Sequence, residues 1–185
     1  MLASDVMILQ ARIAGGDERA YEQLYYACAP NLLRFANSLL KDNMVAEEAV
    51  EDVFVAIWQQ RATLEEKKDL MVYLYVAVKN RCLTALKSKS RDLVVYDGEL
   101  APQSSISHHT PESMLMTKEM ATRIAAVVAS LPPRCQLVFT LVRSHGLKYR
   151  EVATILEISE HTVDAQMTLA TKKISGAIKL IINSL

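Results

Sequence analysis

Apolar residues in this chain recur at helical spacing almost throughout, and strand-like alternation is never sustained. The clearest stretch runs from Leu147 to Val163. There Tyr149, Val152, Ala153 and Leu156 fall at i, i+3, i+4 and i+7, one face of a short helix. Ala153 is small where a second helix must cross closely. Ser159 then offers a hydroxyl to cap a new helix. Val163, Met167, Ala170, Ile174, Ala177, Ile178 and Ile181 form the second stripe. Helix, tight turn and helix in this order suit placement of the second helix in a DNA major groove. The same spacing also fits an ordinary αα-corner in a bundle.

The remaining pattern predicts further helices. Ser4 or Asp5 can cap a first helix that stops at Gly15-Gly16. Asp17 can cap the next, carrying Ala20, Leu24, Ala27, Leu32 and Phe35, with Pro30 imposing a kink or break. A third helix is expected from Asn43 through Arg61, its core stripe Ala46, Val50, Val53, Phe54 and Ile57, with Trp58 in the core or at its edge. A fourth is expected from about Asp69 to Lys89. Between Arg91 and Ser113 periodicity fades among Gly98, Pro102, Pro111 and several serines, which reads as a flexible linker. Helices are expected again over 112–131 and 133–144, with Pro133 suited to a first helical position and Gly146 to a stop. The expected fold is all-α: two small helical domains, 1–90 and 114–185, joined by a flexible linker over 91–113, the second domain carrying the helix-turn-helix.

Composition narrows the possibilities. Of 185 residues 51% are apolar, enough for two cores, while five glycines and five prolines leave little for turn-rich β structure. No apolar run is long enough to span a bilayer, and the N-terminus lacks a secretory signal, so a cytoplasmic protein with no stable membrane association of its own is expected. Cys28, Cys82 and Cys135 are odd in number and far apart, and are expected as buried free thiols. His108-His109 has no third ligand nearby. No phosphate loop, zinc-protease motif or nucleophile elbow occurs, so neither enzymatic activity nor a cofactor or metal is expected.

The formal net charge is zero, but its distribution is uneven. Residues 1–70 hold seven Lys/Arg against twelve Asp/Glu; residues 71–91 hold five basic residues and no acid; residues 131–185 hold seven basic and four acidic. Such asymmetry suggests two kinds of partner. On the fourth helix Tyr73, Asn80, Thr84, Lys87 and Arg91 lie opposite the apolar stripe, with Lys79 and Arg81 adding charge. A ring, an amide and cations suit single-stranded or distorted DNA, though the same residues could form an ordinary solvated face. On the third helix Glu47, Glu48, Glu51 and Asp52 crowd one side. Like charges at i, i+4 cost a few tenths of a kcal/mol per pair. That penalty is what a docking face for a basic partner would carry, and also what a solvated helix start tolerates.

These residues resemble a known family. The run Ala46 to Trp58 looks like region 2 of bacterial sigma factors, and Tyr73 to Asn80 resembles its continuation. Leu131-Pro132 through Val163 looks like sigma region 4, and Gly15-Gly16-Asp17 with Ala20 and Tyr21 is similar to the family's opening. Two regions and a linker resemble the extracytoplasmic-function sigma factors. The resemblance implies core RNA polymerase as partner, with Glu47, Glu48, Glu51 and Asp52 on the β′ clamp helices and the C-terminal domain at the β flap. It implies promoter DNA: the −10 element at Tyr73, Lys79, Asn80, Arg81, Thr84, Lys87 and Arg91, with Asn80 near an extruded base, and the −35 element at His161, Thr162, Asp164, Ala165, Gln166, Thr168 and Lys172. It also implies an anti-sigma factor. Some positions depart from the family pattern. Glu51 stands where Gln is usual and Gln136 where Arg is common. Glu157 sits in the turn where Gly or Asn is easier. Asp164 and Gln166 stand where basic residues often meet DNA; an aspartate can accept from cytosine N4 but is repelled by phosphate.

The alternative is a helix-turn-helix regulator acting without polymerase docking. A two-component output protein would need a receiver domain of alternating strands, which the helical N-terminal half lacks. A helical interaction protein that does not bind DNA would not need the acid-free basic segment.

Overall fold

The computed structural model describes residues 3–92 and 123–182. Among these residues all regular structure is helical, as the apolar period predicts. The helices form two compact units.

In the first unit α1 (Ala3–Ala14), α2 (Glu18–Leu40), α3 (Asn43–Gln59) and α4 (Leu70–Asp92) surround one core. Ser4 and Asp5 fall inside the first turn of α1 rather than before it. Gly16 takes the left-handed φ of 87° that ends this helix. Asp17 then caps α2, its carboxylate accepting from the Ala20 N–H at 3.1 Å. Of the kink or break expected at Pro30, the break does not occur: α2 continues through it. Pro30 and Tyr26, whose carbonyl loses its helical donor, are both exposed, so water can satisfy the group. Asp42 caps α3 through the Val45 N–H at 3.3 Å. The third helix ends before Arg61, which opens a 3-10 segment, Arg61–Glu66. Buried Gln10 holds that segment to α1, its side-chain amide donating to the Leu64 and Lys67 carbonyls at 2.6 and 2.8 Å. Asp69 caps α4. That helix runs past Lys89 to Asp92.

The core of this unit includes Ile13, Leu24, Leu32, Phe35, Phe54, Ile57, Leu70, Leu74 and Tyr75. Tyr21 and Tyr25 bring ring edges to Phe54. Trp58 lies at the core's edge, in tilted contact with the Tyr21 ring at 5.0 Å and covered by the Arg61 guanidinium at 4.7 Å.

In the C-terminal half of the chain a helix over 123–129 (α5) is followed by α6 (Pro133–Arg143), α7 (Tyr149–Leu156) and α8 (Glu160–Ile182). Pro133 takes the first position of α6, as expected. Leu131 and Cys135 bury against Ala170 of α8, with Val128 and Phe139 packed beside them. Gly146 is left-handed at φ 73°, three residues past the end of α6. Val152, Ala153, Val163 and Met167 are buried as the two stripes require, and Ile155, off the expected stripe, is buried as well.

All three cysteines are free and buried. Among the described residues no helix is long and apolar enough to cross a membrane, and no cluster could hold a metal. The linker beyond Asp92 and His108-His109 lie outside the described residues.

Candidate nucleic-acid interface

The packing of α3 on α4 leaves a shallow groove. Its α3 side is made by Val53 and Ala56. Its α4 side carries Tyr73, Ala77, Asn80, Arg81 and Thr84. Two alanines keep the groove open, and the spacing from Tyr73 to Asn80 to Thr84 presents one face of α4 along it. Four of the residues expected to meet the −10 element thus share one depression. Asn80, Arg81 and Thr84 are exposed, and so is Lys87 beyond them. The Thr84 hydroxyl donates to the Asn80 carbonyl at 3.0 Å, so it is already engaged by the backbone.

Two further contacts shape the groove. The Lys67 ammonium stands 5.0 Å from the centre of the Tyr73 ring, so one face of that ring already holds a cation. Arg81 pairs with Asp52 across the two helices at 3.6 Å. Asp52 and Arg81 were expected on separate surfaces; the fold brings them together.

Lys79 does not share the outward face. It stands four residues after Tyr75 and three before Cys82, both fully buried, and is itself only 8% exposed. Arg91 is helical, consistent with continuation of α4.

The acidic face of α3 is solvent-facing: Glu47, Glu48, Glu51 and Asp52 are all exposed. Sequence reasoning missed two apolar residues on it, Met44 at 80% and Val55 at 53% exposure. They lie four residues before Glu48 and four after Glu51, so a search at i±4 from the acids would have found them. The acids are thus bracketed by exposed apolar groups, which makes this face amphipathic rather than uniformly polar.

On α8, His161, Asp164, Ala165, Thr168 and Lys172 are all exposed. Thr162 and Gln166 are half-buried. Ser159 caps the helix by accepting from the Thr162 N–H at 3.0 Å, and the two hydroxyls lie 2.8 Å apart. The Gln166 backbone carbonyl accepts from the Cys135 thiol of α6 at 3.3 Å. Glu157 adopts a left-handed φ of 55° in the turn, without the glycine or asparagine that would favour it. Tyr149, expected only as core, also borders a shallow groove with Thr168, Thr171 and Lys172.

Comparison with known proteins identifies the family. The model for Sigma-70 region 2 matches residues 24–92, and that for Sigma-70, region 4 matches residues 121–174. The RNA polymerase sigma-H factor of Pseudomonas aeruginosa is 20% identical over 178 residues, covering 92% of each chain. RNA polymerase sigma factor CnrH of Cupriavidus metallidurans is 23% identical, covering 92% of this chain and 93% of its own. The ECF RNA polymerase sigma-E factor of Escherichia coli K12 is 19% identical, covering 95% of each. Two solved structures share the fold. CnrH in complex with the cytosolic domain of CnrY has a TM-score of 0.57 at 21% identity, covering 94% of this chain and 97% of the other. Sigma factor RpoE in complex with the anti-sigma factor NepR from Bartonella quintana has a TM-score of 0.63 at 19% identity, covering 86% and 96%.

With both regions matched in order, the chain belongs to the sigma-70 family of transcription initiation factors, as one of its extracytoplasmic-function members. Its role is that of an alternative sigma factor.

Proposed function

We propose that this chain docks on core RNA polymerase through the acidic face of α3 and opens the −10 element with the groove between α3 and α4, while α8 reads the −35 element as duplex. The observation that carries this reading is the gathering of Tyr73, Asn80, Arg81 and Thr84 in one groove beside an exposed acidic helix. Arg81 and Lys87 supply charge for phosphates, and Asn80 offers an amide to a base edge. Extruding a base costs a few kcal/mol, which cationic and pocket contacts can offset. On α8 the outward set is His161, Asp164, Ala165, Thr168 and Lys172. Asp164 suits a cytosine N4 donor, and Lys172 a phosphate two turns further along.

An anti-sigma protein is a natural further partner, since the RpoE structure of similar fold was captured with the anti-sigma factor NepR. The role is one of binding rather than catalysis, exercised in the cytoplasm. Mixing the full chain with core polymerase and a promoter library, then mapping transcript starts, tests the reading. Starts at a shared two-element sequence are expected; absence of core binding and of promoter-dependent initiation would overturn it.

A further inference from the structure

Asp52 lies on the face that would meet polymerase, and Arg81 lines the groove that would meet DNA. In the free chain they pair with each other at 3.6 Å, and each side chain is about half exposed, at 52% and 51%. An ion pair this open can be exchanged for another partner of either charge. A phosphate entering the groove must displace Asp52 from Arg81 and also meets the repulsion of that carboxylate. A basic partner on α3 must likewise draw Asp52 away from Arg81.

We infer that the Asp52–Arg81 pair couples the two surfaces, so that a basic partner on α3 releases Arg81 for a DNA phosphate. This coupling rests on the proposed use of the α3 face and the groove. It requires no movement of a helix, only transfer of one carboxylate from an internal cation to an external one. Linkage makes it reciprocal: DNA held by Arg81 leaves Asp52 available and strengthens docking by the same factor. Glu48, one turn earlier on the same helix, is exposed and takes no part in this pair, so it provides the matched comparison.

The test measures binding of a fluorescent twelve-base oligodeoxythymidine by anisotropy at low salt, using the full chain. Asp52→Asn should tighten binding about threefold, within the range of an exposed pair. Glu48→Gln, which removes the same charge, should give a smaller gain that reflects only the general field. With Arg81→Gln present, the Asp52→Asn gain should fall to that of Glu48→Gln. Equal gains from Asp52→Asn and Glu48→Gln in both backgrounds would overturn the coupling, as would absence of binding by every variant. Promoter-directed initiation by the unaltered chain is assayed alongside. If it persists while the coupling fails, the sigma reading stands and only the link is lost.

Discussion

At Asp17 one carboxylate closes the amide end of α2 and also holds Arg12 at 2.7 Å. The Ala20 N–H, and after it Arg12, keep the carboxyl below its ordinary value of 3.8. A depressed value in the folded state means that this contribution to stability is present above the ordinary carboxylate pKa and lost as pH falls through the lower one. Asp17→Ala should therefore lower Tm at pH 7, and the gap to the unaltered chain should close in acid below about 3.8, read by thermal melts across pH. A gap independent of pH would assign the loss to something other than the carboxylate. Asp17 and Ser159 were legible in the sequence because a cap acts over three residues, within reach of local pattern. The placement of Lys79 was available from the spacing to Tyr75 and Cys82, but its charge drew it into the basic set. The half-buried place of Gln166 was likewise available from its spacing, three residues after Val163 and four before Ala170.

Among the elements, α8 depends most on its first turn, since Ser159 caps the helix that carries the outward set. Ser159→Ala should destabilise the second unit by about 1 kcal/mol in urea unfolding. If the frayed turn carries His161, binding of a −35 duplex should weaken with it; unchanged stability would remove Ser159 from the cap. Helix existence was readable throughout because stripes such as Ala46, Val50, Val53 and Phe54 repeat over several turns. Boundaries and interruptions were less so. Pro30 gave a local signal for a break that was overridden by burial of Leu24, Cys28, Leu32 and Phe35 on either side of it. The 3-10 segment depends on Gln10, more than fifty residues earlier, and nothing in its own sequence announces that tie.

For the whole molecule, two matched regions in order define the family more firmly than any single contact does. The acids of α3 and the ring, amide and cations of α4 could be picked out from periodicity, but the gathering of Tyr73, Asn80, Arg81 and Thr84 in one groove and the pairing of Arg81 with Asp52 could not. Helical spacing assigns residues to a face without saying which face another helix will approach. Function divides the two surfaces experimentally. Asn80→Ala should slow promoter opening at least tenfold while leaving affinity for core polymerase nearly unchanged, a difference of about 1.4 kcal/mol or more in the opening step. Equal loss of both would point to a folding defect. Glu48→Lys with Asp52→Lys should weaken core binding tenfold or more at low salt, less so at high salt. Unchanged affinity at low salt would remove that face from the docking surface.

The cysteines give the chain a built-in chronometer. Burial raises all three thiols, Cys28 and Cys82 to about 11, so almost no reactive thiolate exists at neutral pH until the surrounding helices part. Cys28 and Cys82 sit in α2 and α4 of the first unit, Cys135 in α6 of the second. The rate at which each is trapped by a thiol reagent therefore times the opening of its own unit. Each half of the molecule can thus be followed separately, in the intact chain and without an added label, as polymerase or DNA is introduced.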